Sequence, residues 1–84
     1  MYVRLKDLIE FAYYTWCFDF RELESDLRDV LELAIREGIN EIGLDNGNVI
    51  YLGEHDLVDV VEFLSSKVET ILEELRGEYD EEIL

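Results

Sequence analysis

Proline and glutamine are absent from this 84-residue chain, and cysteine, histidine, tryptophan and methionine occur once each. One cysteine, Cys17, excludes an intramolecular disulfide and any multi-cysteine metal site. A free thiol suits a reducing compartment. One histidine and one cysteine, with no glycine-rich phosphate loop and no nucleophile elbow, leave nothing from which to build a familiar catalytic centre. The sequence reading is therefore of a non-enzyme that takes no cofactor and no metal. Long apolar runs are missing too, so no segment reaches the ~20 residues that span a bilayer. The opening Met1-Tyr2-Val3-Arg4-Leu5-Lys6-Asp7 has no basic start followed by an apolar stretch, so a cytoplasmic location is expected.

Positive charge is scarce. Seven basic residues face 22 acidic ones, a formal net charge of −15. Such a chain is repelled by phosphate backbones and anionic lipid alike, so neither direct nucleic-acid binding nor membrane binding is expected. The first 18 residues are neutral, residues 19–38 sum to −4, 39–53 to −2, and 54–84 to −9. Glutamate (14) exceeds aspartate (8), and large aliphatics are plentiful. Together with the missing amide, this leans toward a thermophile, although two lysines cannot build extensive ion-pair networks.

What is abundant is apolar: 49% of the chain, far too much for a disordered acidic segment. One domain over residues 1–77 is expected, followed by an acidic tail at 78–84, with no repeat or linker. The class reads as α+β, a small domain in the order ααββα.

The first helix is expected over about 4–18. Leu5, Leu8, Ile9, Ala12, Trp16 and Phe20 recur at three- and four-residue spacing, a core-facing stripe. On the same helix Phe11, Tyr14 and Phe18 form a second stripe. From Phe11 to Phe20 there are six aromatics and one charge, which cannot be solvated all round. Either the rest of the chain covers the second stripe or a partner does. A second helix is expected over about 20–37. Asp19 and Glu22 form a capping box, Gly38 closes the C-terminus, and Leu23, Leu27, Val30, Leu31 and Ala34 are its inner face.

Asn46-Gly47 marks a two-residue hairpin turn between strands 41–45 and 48–52. That turn pairs Leu44 with Val49 and Ile42 with Tyr51, leaving Gly43, Ile50 and Leu52 on the other face. A long helix from about 55 to 76 carries Leu57, Val61, Leu64, Val68, Ile71 and Leu75 at spacings of 4, 3, 4, 3, 4, a heptad seam that ends at Gly77. The seam is short for a free coiled coil. It packs against the first helix or pairs two copies into a homodimer.

The weaker site patterns read as structure. His55 and Asp59, four residues apart, could share a helix face and hold a metal with Glu54, but acids at a helix start are the commoner explanation. Asp45-Asn46-Gly47-Asn48 lacks the ligand spacing of a calcium loop and is a turn. Cys17, in an apolar stretch, reads as a buried structural thiol. The helix–helix–hairpin order of about residues 20–52 resembles the winged-helix DNA-binding arrangement in topology. That resemblance implies a DNA-reading second helix, yet this one bears Asp26, Asp29, Glu32 and Glu37 against Arg28 and Arg36.

The functional expectation is thus an acidic interaction module for a basic protein, one that itself handles nucleic acid. An inhibitor, antitoxin, immunity protein, DNA mimic or accessory subunit would all fit. Asp26, Asp29, Glu32, Glu62, Glu69 and Glu73 would steer the partner, and Phe11, Tyr14 and Phe18 would anchor it. The alternative is a structural homodimer whose acids only confer solubility.

Overall fold

The structure, a computed structural model, describes the backbone of residues 1–83 and the side chains of residues 1–77. Strand β1 (Tyr2–Arg4) leads into α1 (Leu5–Tyr14). After an irregular stretch come α2 (Leu23–Arg36), β2 (Glu41–Gly43) and β3 (Val49–Tyr51). A single 3-10 turn at 52–54 then connects to α3 (Leu57–Ile83). The class is α+β, as expected, with one strand more than the expected order.

That extra strand is N-terminal. β1 pairs parallel to β2, with Val3 beside Ile42, and β2 pairs antiparallel to β3. Parallel neighbours need a long crossover, which α1 and α2 supply. The chain start is tied down firmly: the Met1 ammonium donates to the Gly38 carbonyl (3.0 Å) and to Asn40 Oδ1 (2.7 Å). The Asn40 amide returns a bond to the Met1 carbonyl (3.1 Å). The hairpin is therefore the middle and edge of a three-stranded sheet, and the strand added to the expected pair is parallel to its neighbour.

The hairpin register is one residue off the expected one. Ile42 sits opposite Ile50, and Gly43 opposite Val49. The turn holds three residues, not two: the Gly47 amide bonds the Leu44 carbonyl (3.1 Å), the Leu44 amide bonds the Asn48 carbonyl (2.8 Å), and Gly47 has φ +86°. This is a tight turn followed by a left-handed residue, the usual form of a three-residue hairpin loop. One residue of slip exchanges the two faces of a strand. Ile42, Leu44, Ile50 and Leu52 thus all join the core together with Val3, whereas Tyr51 is exposed. The physical reason is burial: this register gathers every large aliphatic of the hairpin except Val49 on one side.

Helix α2 ends as expected. The Gly38 amide bonds the Ile35 carbonyl and the Ile39 amide bonds the Ala34 carbonyl, with Gly38 at φ +90° and Ile39 packed into the core. Its start is different. The helix begins at Leu23 with no side-chain cap, and Asp19 Oδ1 accepts instead from the Arg21 amide (3.2 Å), an Asx-type turn.

The core joins all three helices to the inner sheet face. Leu8, Ile9, Leu27, Leu31, Ile42, Leu64 and Leu75 are completely enclosed. Side chains of this size contribute about 1.5–3 kcal/mol each on burial. Val61, Leu64, Val68, Ile71 and Leu75 of the heptad seam belong to this core, and Leu57 lies half-buried at its rim. Within the chain the seam faces α1 and α2, and every residue of it except Leu57 is buried there. Nor does α3 stop at Gly77. Its helical backbone continues to Ile83, through residues expected to form a tail. Gly77 lacks the positive φ of a terminating glycine, and a mid-helix glycine costs only about 1 kcal/mol.

Candidate protein-binding surface

The aromatic stretch does not stay helical. α1 ends at Tyr14, and the Trp16 and Phe18 amides bond back to the carbonyls of Phe11 (3.3 Å) and Ala12 (3.1 Å), wider spacings than an α-helix uses. Cys17 and Phe20 take positive φ, +61° and +55°. From Trp16 to Phe20 burial then alternates: Trp16, Phe18 and Phe20 turn inward, Cys17 and Asp19 outward. This irregular path turns three aromatics toward the core where a helix would have placed them around its circumference. This is why Cys17 is exposed rather than buried, and why Phe18 shares no stripe with Phe11 and Tyr14. Phe18 is half-buried beside Phe20, ring centroids 6.0 Å apart.

Phe11 and Tyr14 do remain at the surface, 48% and 57% exposed. Phe11 meets Trp16 edge to face at 5.0 Å. They stand at different places, because Phe11 and Trp16 line a hollow with Met1, Val3, Leu8 and Ile39 whereas Tyr14 does not. Tyr14 instead stacks edge to face on Tyr13 at 5.1 Å.

The expected acids lie on the surface of both helices. Asp29 of α2 and Glu62, Glu69 and Glu73 of α3 are exposed; Asp26 and Glu32 are half-buried. Glu32 is neutralised by Arg28 at 3.5 Å. Asp26 is crowded, and its carboxyl is held above the ordinary value of 3.8. The main cause is desolvation, followed by the negative charges of Asp19, Asp29 and Glu22, while a hydrogen bond from the Phe20 amide pulls the other way. Loop 15–22 is held at a second point by Arg76, whose Nη2 donates to the Asp19 carbonyl at 3.0 Å.

Twenty-two acids less the four at 78, 80, 81 and 82 leave eighteen with described side chains. Three ion pairs occur among the described residues: Lys6 with Glu74, Arg21 with Asp19, and Arg28 with Glu32. Fifteen carboxylates are therefore without a basic partner there, and no charged side chain is buried. Residues 37–66 hold seven acids and neither lysine nor arginine.

Within that acidic stretch lies an apolar hollow that sequence reasoning missed. Ile50, Val60 and Phe63 form its walls, with His55 and Asp59 at the same opening. Phe63 is 55% exposed. The signal was present in the periodicity: Phe63 falls beside the seam residue Leu64 and off the buried stripe, an unexplained aromatic on an otherwise polar flank. His55 precedes α3 in extended backbone (φ −129°, ψ 152°), so it and Asp59 meet at the hollow and not on a shared helix face. No third His, Cys, Asp or Glu joins them into a metal-sized group among the described residues. No described helix is long and apolar enough to cross a membrane. No protein-family model, curated protein or solved structure matches the chain.

Proposed function

We propose that this protein is a non-catalytic acidic module that docks on a basic protein, itself a handler of nucleic acid, in the cytoplasm. The observation that carries the reading is the fifteen carboxylates without a basic partner among the described residues, spread over all three helices, the hairpin and the segments that join them. Solubility needs far less charge, and this much costs stability through self-repulsion. Steering of an oppositely charged partner is the physical effect that such a field supplies. The exposed Cys17 thiol suits a reducing compartment.

The test is kinetic. The protein is immobilised, partners are captured from extract of its own source cells, and association of the purified partner is timed across salt. A sixfold variant (Asp26→Asn, Asp29→Asn, Glu32→Gln, Glu62→Gln, Glu69→Gln, Glu73→Gln) is compared with wild type. Association slows steeply with salt for wild type and is at least tenfold slower for the variant at low salt, with dissociation little changed. Equal association rates would reduce the acids to a solubility device. The homodimer reading, which the exposed Phe11 and Tyr14 support, would then stand, and light scattering would show a mass near 20 kDa, twice the 9.9 kDa chain.

A further inference from the structure

We infer that the hollow between β3 and the start of α3 receives an arginine side chain of the partner. The inference rests on the basic-partner reading and commits to where, and by what chemistry, that partner is held. Arginine is an apolar stem ending in a planar cation, and it is recognised where an apolar wall, an aromatic face and a carboxylate converge. Ile50 and Val60 provide the wall, Phe63 the ring and Asp59 the carboxylate, all lining one hollow of about 330 Å³. Asp59 and Phe63 are one helical turn apart on α3, so the helix itself sets their spacing. The ring already attracts a cation from its own chain: Lys67 Nζ lies 5.7 Å from its centroid, one turn further on.

Charge argues for this occupant over a second copy. Glu54, Asp56 and Glu62 are exposed nearby in sequence, and no lysine or arginine occurs between Arg36 and Lys67. A second chain of formal charge −15 would bring like charge to this opening, whereas an arginine-bearing segment cancels it. The other large hollow, at Phe11 and Trp16, offers aromatic walls with Asp7 and Glu37 but shows no cation on its rings among the described residues.

The test is a titration of the ¹⁵N-labelled protein with an acetylated peptide, Gly-Arg-Leu-Arg-Gly amide, followed by amide chemical shifts at low and at physiological salt. The control peptide has citrulline for both arginines, which keeps the shape and removes the charge. The arginine peptide shifts the amides of Ile50, His55, Asp59 and Phe63 in a saturable manner, and citrulline abolishes the effect. Asp59→Asn and Phe63→Ala each weaken binding about tenfold, and both positions are exposed, so the fold is spared. Asp29→Asn, on α2, leaves it unchanged within twofold. Saturable shifts at Phe11 and Trp16, or along α2, with the hollow silent, would overturn this inference and leave the basic-partner reading intact. Equal responses to arginine and citrulline, or no response to either at low salt, would overturn both. Concentration-dependent shifts at Phe63 without peptide would assign the hollow to a second copy and overturn the inference as well.

Discussion

The ring of Tyr2 on β1 lies over Gly43 on β2, in the space that a Cβ on Gly43 would occupy. Both are on the outer sheet face, two residues apart diagonally across the parallel pair, because Tyr2 pairs with Glu41. A glycine weakens a strand, and an aromatic laid across it restores the lost contact. The two positions are therefore coupled. In a Tyr2→Ala background, Gly43→Ala is expected to stabilise by about 0.5–1 kcal/mol, the usual gain of alanine over glycine. In wild type the same change displaces the tyrosine and the gain disappears. Urea unfolding of the four proteins of this cycle checks it, and additive effects would show that the ring contributes nothing.

Gly47 is expected to be the least replaceable residue of the hairpin. Its φ of +86° suits glycine, and nothing lies within 4 Å of where a Cβ would be, so the penalty of Gly47→Ala is purely conformational. A loss of about 1–2 kcal/mol follows. Gly47→Asn should recover part of it, because asparagine tolerates the left-handed region. Thermal unfolding separates the two variants, and an alanine variant as stable as wild type would contradict the three-residue turn.

Asp26 should make the protein more stable as pH falls through its raised folded-state pKa toward the ordinary carboxyl value of 3.8. Its pKa is raised in the folded state, so the folded protein binds the proton more tightly than the unfolded chain. The cost is absent below the unfolded value and fully present once pH exceeds the raised folded one. Asp26→Asn keeps an oxygen for the Phe20 amide and removes the charge that Asp19, Asp29 and Glu22 oppose. The variant is expected to be the more stable protein at pH 7 and to show a flatter pH profile above 4. Denaturation midpoints across pH 4–7 test this, and a variant less stable at pH 7 would refute it.

Cys17 combines exposure with φ +61°, a conformation that costs a non-glycine residue about 1–2 kcal/mol. Cys17→Gly relieves that strain and pays back part of it in the entropy of the unfolded chain. A net gain of about 0.5–1 kcal/mol is expected. The wild-type thiol should be labelled by a thiol reagent in the folded protein, without prior unfolding. Slow labelling would contradict its exposure.

Duplex DNA and RNA should not bind. A mobility-shift assay at low salt and without divalent metal is the most permissive test, since phosphate contacts are strongest there. A shifted band would undermine the electrostatic basis of the proposed function.

Local pattern alone determined a good part of this molecule. The inner faces of α2 and α3, the glycine cap at Gly38, the presence of a hairpin at Asn46-Gly47 and the acidity of the surface all follow from spacing and residue type. Each depends on neighbours within a few residues, where periodicity and turn chemistry act. Tertiary structure decided what distant partners decide. Tyr2–Arg4 has no strand signature in three residues; it becomes β1 because β2, nearly forty residues on, offers a parallel edge and Gly38 and Asn40 hold the Met1 ammonium. The hairpin slipped by one residue because the core rewards Ile42, Leu44, Ile50 and Leu52 on one side, a sum that no local turn preference contains. Trp16, Phe18 and Phe20 lie outside the helices, where the chain turns all three toward the core, an arrangement that one α-helix face could not give. The heptad seam was legible as apolar, but only the packed chain showed that it faces α1 and α2, leaving Val58 and Phe63 as exposed apolar residues of α3, the second beside Asp59 at the hollow.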